Sequence, residues 1–128
     1  MAEMTPYELM GGAGVVRHLC QRFYAIMDTD PSVAELRAMH PADLAGSSEK
    51  LYMFLSGWLG GPALYMEAFG HPRLRQRHMP FAVDSSARDQ WMHCMQLAVD
   101  ELVLEDWLKA KLIEAFYNTA DFMRNQPE

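Results

Sequence analysis

The sequence predicts an all-α fold, and three observations carry that reading. Apolar residues recur at helical spacing through most of the chain. Glycine, proline and Asp/Ser clusters of the kind that start and stop helices separate these runs. No segment alternates strictly enough for a half-buried strand. There is also no internal repeat, low-complexity tract or persisting heptad, so the helices should cross rather than coil.

Each element can be justified in order. Tyr7–Met10 makes a short opening turn, broken by Gly11-Gly12-Ala13-Gly14. From Val15 to Met27, the residues Val16, Leu19, Cys20, Phe23 and Met27 form one apolar stripe. Asp28-Thr29-Asp30-Pro31 ends that helix and starts another, with Asp30 as N-cap and Pro31 in the first helical position. Pro41 pushes His40 out of helical geometry, so the short helix stops near Met39. Ser47 or Ser48 is expected to cap the next helix, where Leu51, Phe54, Leu55 and Trp58 fall at i, i+3, i+4 and i+7. Gly60-Gly61-Pro62 ends it, and residues 60 to 70 read as a Gly-rich connection. Asp84-Ser85-Ser86 caps a long helix with Trp91, Cys94, Met95, Ala98, Val99 and Leu102 on one face. After a break near Leu104–Asp106, a last helix carries Leu108, Leu112, Ala115, Phe116, Thr119 and Met123.

Composition bounds the class. At 128 residues the chain suits one domain over 1–128, burying about two thirds of its unfolded surface. A net charge of −6 argues against nucleic acid or an anionic membrane as partner. No apolar run approaches the ~20 residues that span a bilayer, and no basic-then-apolar leader opens the chain. Cys20 and Cys94 form neither a CxxC nor a CxxCH, so both thiols are expected free in a reducing cytoplasm. Eleven methionines with six phenylalanines, five tyrosines and three tryptophans give a soft core, or one shaped around a flat ligand.

The densest chemistry lies in Gly70–Phe81, which gathers His71, His78, Arg73, Arg75, Arg77, Pro72 and Pro80. Pro72 can open a short helix and Pro80 should stop it near His78, with Leu74 four residues back on the same face. An imidazole ending a two-turn helix, flanked by cations, suits a single neutral ligand to a metal carried by an anionic cofactor. A packed terminal histidine is the plain alternative. His71 should cap the short helix. His18 and His93 should be exposed, and His40 is either a turn residue or part of a site. HExxH, paired Glu-x-x-His and Gly-x-Ser-x-Gly motifs are missing. Gly12-Ala13-Gly14 reads as a helix-start turn, and Asp89 with His93 as a solvated helix pair.

Several segments together resemble the group II truncated haemoglobins. They are Phe23-Tyr24, His40-Pro41-Ala42-Asp43-Leu44 and Phe54-Leu55-Ser56-Gly57-Trp58-Leu59-Gly60-Gly61-Pro62, then Gly70–Arg75, Arg77–Phe81 and Arg88-Asp89-Gln90-Trp91. The resemblance runs from Tyr7 to about Asn125. It implies a two-over-two helical sandwich around non-covalent haem b, the iron bound by His78. Tyr24, His40 and Trp91 match distal positions that contact the iron's ligand, and Leu51, Phe54 and Leu55 match the residues walling the pocket. Ser47 falls where other globins often carry a distal histidine, implying a small gate. Lys50, Tyr65 and Arg77 match positions near the haem propionates. A histidine at 40 departs from the tyrosine or phenylalanine common there.

In that setting, one His78 ring nitrogen must be left for iron while the other donates to a second partner. The Tyr24 hydroxyl and Trp91 indole are donors able to stabilise a polarised diatomic inside an apolar pocket. Three classes follow: a reversible binder of dioxygen or other diatomics, a nitric oxide dioxygenase or peroxidase fed by an external reductase, and a haem-free helical interaction module.

Overall fold

The computed structural model describes residues 4–126; these form helices and connecting turns, with no strand among them. Helix α1 (Pro6–Met10) opens on a reciprocal cap: the Glu8 N–H donates to Thr5 Oγ1 at 3.2 Å, and the Thr5 N–H donates to Glu8 Oε1 at 3.1 Å. Helix α2 (Ala13–Thr29) follows. Asp30 then caps a 3₁₀ turn, Pro31–Val33, which leads into α3 (Ala34–Ala38). The remaining helices are α4 (Ala45–Trp58), α5 (Leu64–Phe69), α6 (Leu74–His78), α7 (Ser85–Asp100) and α8 (Asp106–Phe122). Asp84 caps α7, its side chain accepting from the Ala87 N–H at 2.8 Å.

Local expectations fail at five points. Helix α4 starts at Ala45, ahead of Ser47 and Ser48, because Asp43 Oδ1 already satisfies the Ala45 N–H at 2.9 Å. The Gly-rich connection contains α5, a helix that buries none of its residues and so leaves no apolar stripe to read. Helix α6 begins after Pro72, since Arg73 adopts a left-handed conformation at φ 48°. His71 Nδ1 accepts from the Arg73 N–H at 3.1 Å, which holds that kink rather than capping the helix. His93 bonds Asp30 Oδ2 at 2.8 Å in place of Asp89.

Two pairs of helices, α2 with α4 and α7 with α8, stack two over two through the α2–α7 contact. The seam is the predicted stripe: Val16, Leu19, Cys20, Phe23 and Met27 of α2 meet Cys94, Met95, Ala98 and Val99 of α7, all essentially solvent-free. Leu108, Leu112 and Phe116 of α8 and Leu55 of α4 close the core. Burying a leucine or phenylalanine contributes roughly 1.5–3 kcal/mol each, so this seam fixes the scaffold on which the other side chains are placed. Helix α1 locks the corner after α4: the Tyr7 N–H donates to the Leu59 carbonyl at 3.0 Å. The Tyr7 ring lies so near Gly61 that a Cβ there would sit 2.5 Å from it. Among the described residues no helix is long and apolar enough to cross a membrane.

Asp30 ties the start of α3 to α7. It accepts from the Ser32 N–H at 2.9 Å and the Ser32 hydroxyl at 2.7 Å, as well as from His93 Nε2. The Ser32 hydroxyl, the His93 ring and the Ser32 N–H together hold its carboxyl down to about 2. A carboxyl lowered on folding stabilises the native state above its ordinary value of about 4 and loses that contribution as pH falls toward about 2. Glu101, lowered by Arg22, and Asp121, lowered by Arg124 and Arg88, act in the same direction. Urea titrations of Asp30→Asn at several pH values should show less acid destabilisation between pH 4 and 2 than the parent. Parallel curves would remove this role for Asp30.

Candidate functional site

A continuous series of rings runs from the buried Phe23 and Phe116 of the core out to the exposed Phe69. The Tyr24 ring meets Phe23 edge-on at 4.9 Å between centroids and His40 at 5.8 Å. Phe23 meets Trp91 at 5.1 Å, and Trp91 meets Phe116 at 6.0 Å. Phe116 stacks on Trp58 at 5.0 Å, Trp58 meets Phe54 at 6.4 Å, and Phe54 meets Tyr65 at 6.5 Å. Tyr65 meets Phe69 at 5.0 Å. Helical spacing explains how α4 contributes: Ser47, Leu51, Phe54 and Trp58 share a partly exposed face, whereas Tyr52 and Leu55 turn into the core. Leu55 thus stands behind this face rather than on it.

Two cations sit at one end of the series. The Arg77 guanidinium lies 5.6 Å from the Tyr65 ring centre, and Lys50 Nζ lies 6.0 Å from that of Phe69. The Arg77 Nε–H donates to the Pro72 carbonyl at 2.7 Å, folding its side chain back along α6. Lys50, Tyr65 and Arg77 therefore converge although they come from three helices.

At the other end the polar atoms are open. Tyr24 Oη and Trp91 Nε1 have no hydrogen-bond partner among the described residues. Both keep solvent contact, since no fully buried side-chain nitrogen or oxygen there lacks a partner. Burial, reinforced by neighbouring Cys20, pushes the Tyr24 phenol above its ordinary value, so its hydroxyl stays a donor. Cys20 is itself pushed up to about 12 by burial, and Cys94 to about 11, so both thiols are inert. His40 Nδ1 is paired with the Leu36 carbonyl at 2.9 Å. A carbonyl only accepts, so Nδ1 carries the proton there and Nε2 is left open. No hydrogen bond joins His40 to Tyr24 among the described residues; their rings touch edge to face.

His78 follows the same logic. Its Nδ1 is 2.7 Å from the Leu74 carbonyl one turn back, so Nδ1 donates and Nε2 keeps a lone pair without a partner among the described residues. The Leu74/His78 spacing was readable from the sequence. The tautomer emerges only from this contact. The left-handed Arg73 that sets the helix start costs roughly 1–2 kcal/mol for a residue with a Cβ. Backbone held in such a region concentrates at functional sites.

This donor set decides what it could hold. No group of three histidine, cysteine or acidic side chains converges among the described residues. One imidazole with a free lone pair suits a metal that brings its other ligands with it. A run of aromatic side chains, mostly tilted or edge-on to one another, suits an apolar aromatic body, and Arg77 with Lys50 suits its anionic edge. The residues fit haem. Two surface cavities lie elsewhere: one of about 420 Å³ lined by Ser32, Ser86, Asp89 and His93, the other of about 730 Å³ lined by Leu9, Trp107 and Leu112. Neither includes His78, Tyr24, His40 or Trp91, although Trp58 borders the larger one. The roles of Phe69 and Phe116 in the ring series, and of Asn125 near His78, had no local signal in the sequence.

The bacterial-like globin family matches residues 5–125. The group 2 truncated hemoglobin YjbI of Bacillus subtilis is 37% identical over 124 residues, spanning 97% of this chain and 91% of that protein. A cold-adapted truncated hemoglobin from the Antarctic bacterium Pseudoalteromonas haloplanktis TAC125 superposes with a TM-score of 0.95 at 44% identity, covering 97% of this chain and 100% of that one. The group II 2-on-2 hemoglobin of Agrobacterium tumefaciens gives 0.94 at 42% identity, covering 99% and 98%. Fold, donor set and sequence agree: the chain belongs to the bacterial-like globins, a haem-binding haemoglobin family, and within it to the group II truncated haemoglobins.

Proposed function

We propose that this globin would hold haem b through Nε2 of His78 and reversibly bind dioxygen or another diatomic near Tyr24 and Trp91. The observation that carries this is the His78–Leu74 hydrogen bond at 2.7 Å, which fixes the tautomer and frees the ligating nitrogen. When bound, haem would supply an iron centre able to take a diatomic ligand. The chain's own residues do the rest. Arg77, Lys50 and Tyr65 would hold the propionates. Leu51, Phe54 and Trp58 keep water from one side, and Ser47 leaves a small gate. Tyr24 Oη and Trp91 Nε1 donate hydrogen bonds into the open side, each worth about 1.5–3 kcal/mol when the acceptor is charged.

Titrating the chain with hemin, reducing it and adding carbon monoxide tests the reading. Saturation at one hemin per chain and a spectrum that reverts when the gas is removed are expected. No uptake, or rapid consumption of nitric oxide or peroxide at rates exceeding gas release, would replace reversible binding.

A further inference from the structure

We propose that Asn125 is a positioning residue for His78, fixing the backbone of the α6–α7 connection so that the imidazole is presented at a set height. The inference rests on His78 being the iron ligand. The Asn125 Nδ2 group donates to the His78 carbonyl at 3.1 Å and to the Phe81 carbonyl at 3.0 Å. Its Oδ1 accepts from the Val83 N–H at 2.9 Å, while its own N–H donates to the Val83 carbonyl at 2.8 Å. One side chain thus binds positions 78, 81 and 83 of a single turn.

That turn needs an external hold. Helix α6 packs only lightly against the other helices. The residues that follow it are open to solvent, with Met79 53% and Phe81 44% exposed. The Leu74 carbonyl sets how the imidazole is rotated, whereas Asn125 sets where the end of α6 stands. The anchor is itself fastened. Asp121, one turn back on α8, accepts from Arg88 of α7 at 2.7 Å and from Arg124 at 2.6 Å. Phe116 of the same helix contacts both Trp91 and Trp58. Helix α8, which ends three residues before Asn125, therefore links the histidine's turn to the ring series that includes Trp91.

Asn125→Ala removes both functions of the side chain. Asn125→Asp keeps the acceptor for the Val83 N–H but cannot donate to His78 and Phe81. In the hemin-loaded protein, both variants should lose hemin to excess apomyoglobin on the order of tenfold faster, as expected for two lost hydrogen bonds. Both should also shift or broaden the iron–histidine Raman band. Hydrogen exchange in the hemin-free chain should accelerate at residues 79–83 in Asn125→Ala. Hemin loss within twofold of the parent and an unmoved band in both variants, whatever the melting temperature does, would overturn the positioning role. If the parent chain takes up no hemin, the proposed function fails and exchange alone decides this one. Unchanged exchange at 79–83 would then refute it.

Discussion

Replacing His78 with alanine is expected to speed hemin loss by more than about 100-fold and to erase the histidine-ligated spectrum. Partners that merely orient a metal ligand already command 10–100-fold, and the ligand itself should exceed them. The aromatic side chains of Phe54, Trp58 and Tyr65 and the charges of Arg77 and Lys50 remain in that variant, so some hemin should still associate. It should do so without the bands that an imidazole imposes. His78→Gly, which leaves room beside the Leu74 carbonyl, should recover those bands when free imidazole is added. Recovery would show that position 78 supplies a ligand rather than a packing group, the alternative for a histidine at a helix end. Absorption spectra with and without imidazole suffice to check both.

The second large effect is expected on gas release. Tyr24→Phe and Trp91→Phe each remove one donor while preserving a ring. The 4.9 Å contact of residue 24 with Phe23, and those of residue 91 with Phe23 at 5.1 Å and Phe116 at 6.0 Å, stay available. A hydrogen bond to a charged acceptor of about 1.5–3 kcal/mol corresponds to roughly ten- to hundred-fold faster dioxygen dissociation in each variant. If both donors serve the same acceptor, the double variant should fall short of the product of the two effects, which a double-mutant cycle reads directly. Carbon monoxide takes on less charge and should be released at rates changed far less. Stopped-flow displacement measures all four proteins. Unchanged dioxygen release in both single variants would return Tyr24 and Trp91 to a packing role.

The long helices were legible because their burial is one-sided. Val16, Leu19, Cys20, Phe23 and Met27 had to share a face, and Cys94, Met95, Ala98 and Val99 had to meet it. Helix α5 was not legible, since a helix with no buried residue has no stripe. The start of α4 was misplaced because an acceptor at Asp43 does the work expected of a serine. Nothing in an arginine announces a left-handed backbone at position 73. At the candidate site, the four-residue spacing of Leu74 and His78 placed them on one face, but the tautomer depends on a backbone carbonyl that sequence does not display. His40 reads from the sequence as either a turn residue or part of a site, and the pairing of its Nδ1 with the Leu36 carbonyl, which leaves Nε2 open, is a contact that spacing does not display. Asn125 was invisible for a simpler reason: its side-chain partners Val83 and His78 lie 42 and 47 residues away.

The most direct measurement is a resonance Raman spectrum of the reduced, gas-free protein prepared with ¹⁵N-labelled histidine. A single iron–nitrogen stretch that moves on labelling and disappears in His78→Ala is expected. A band that survives that substitution, or that ignores the isotope, would mean the metal is held by some other group.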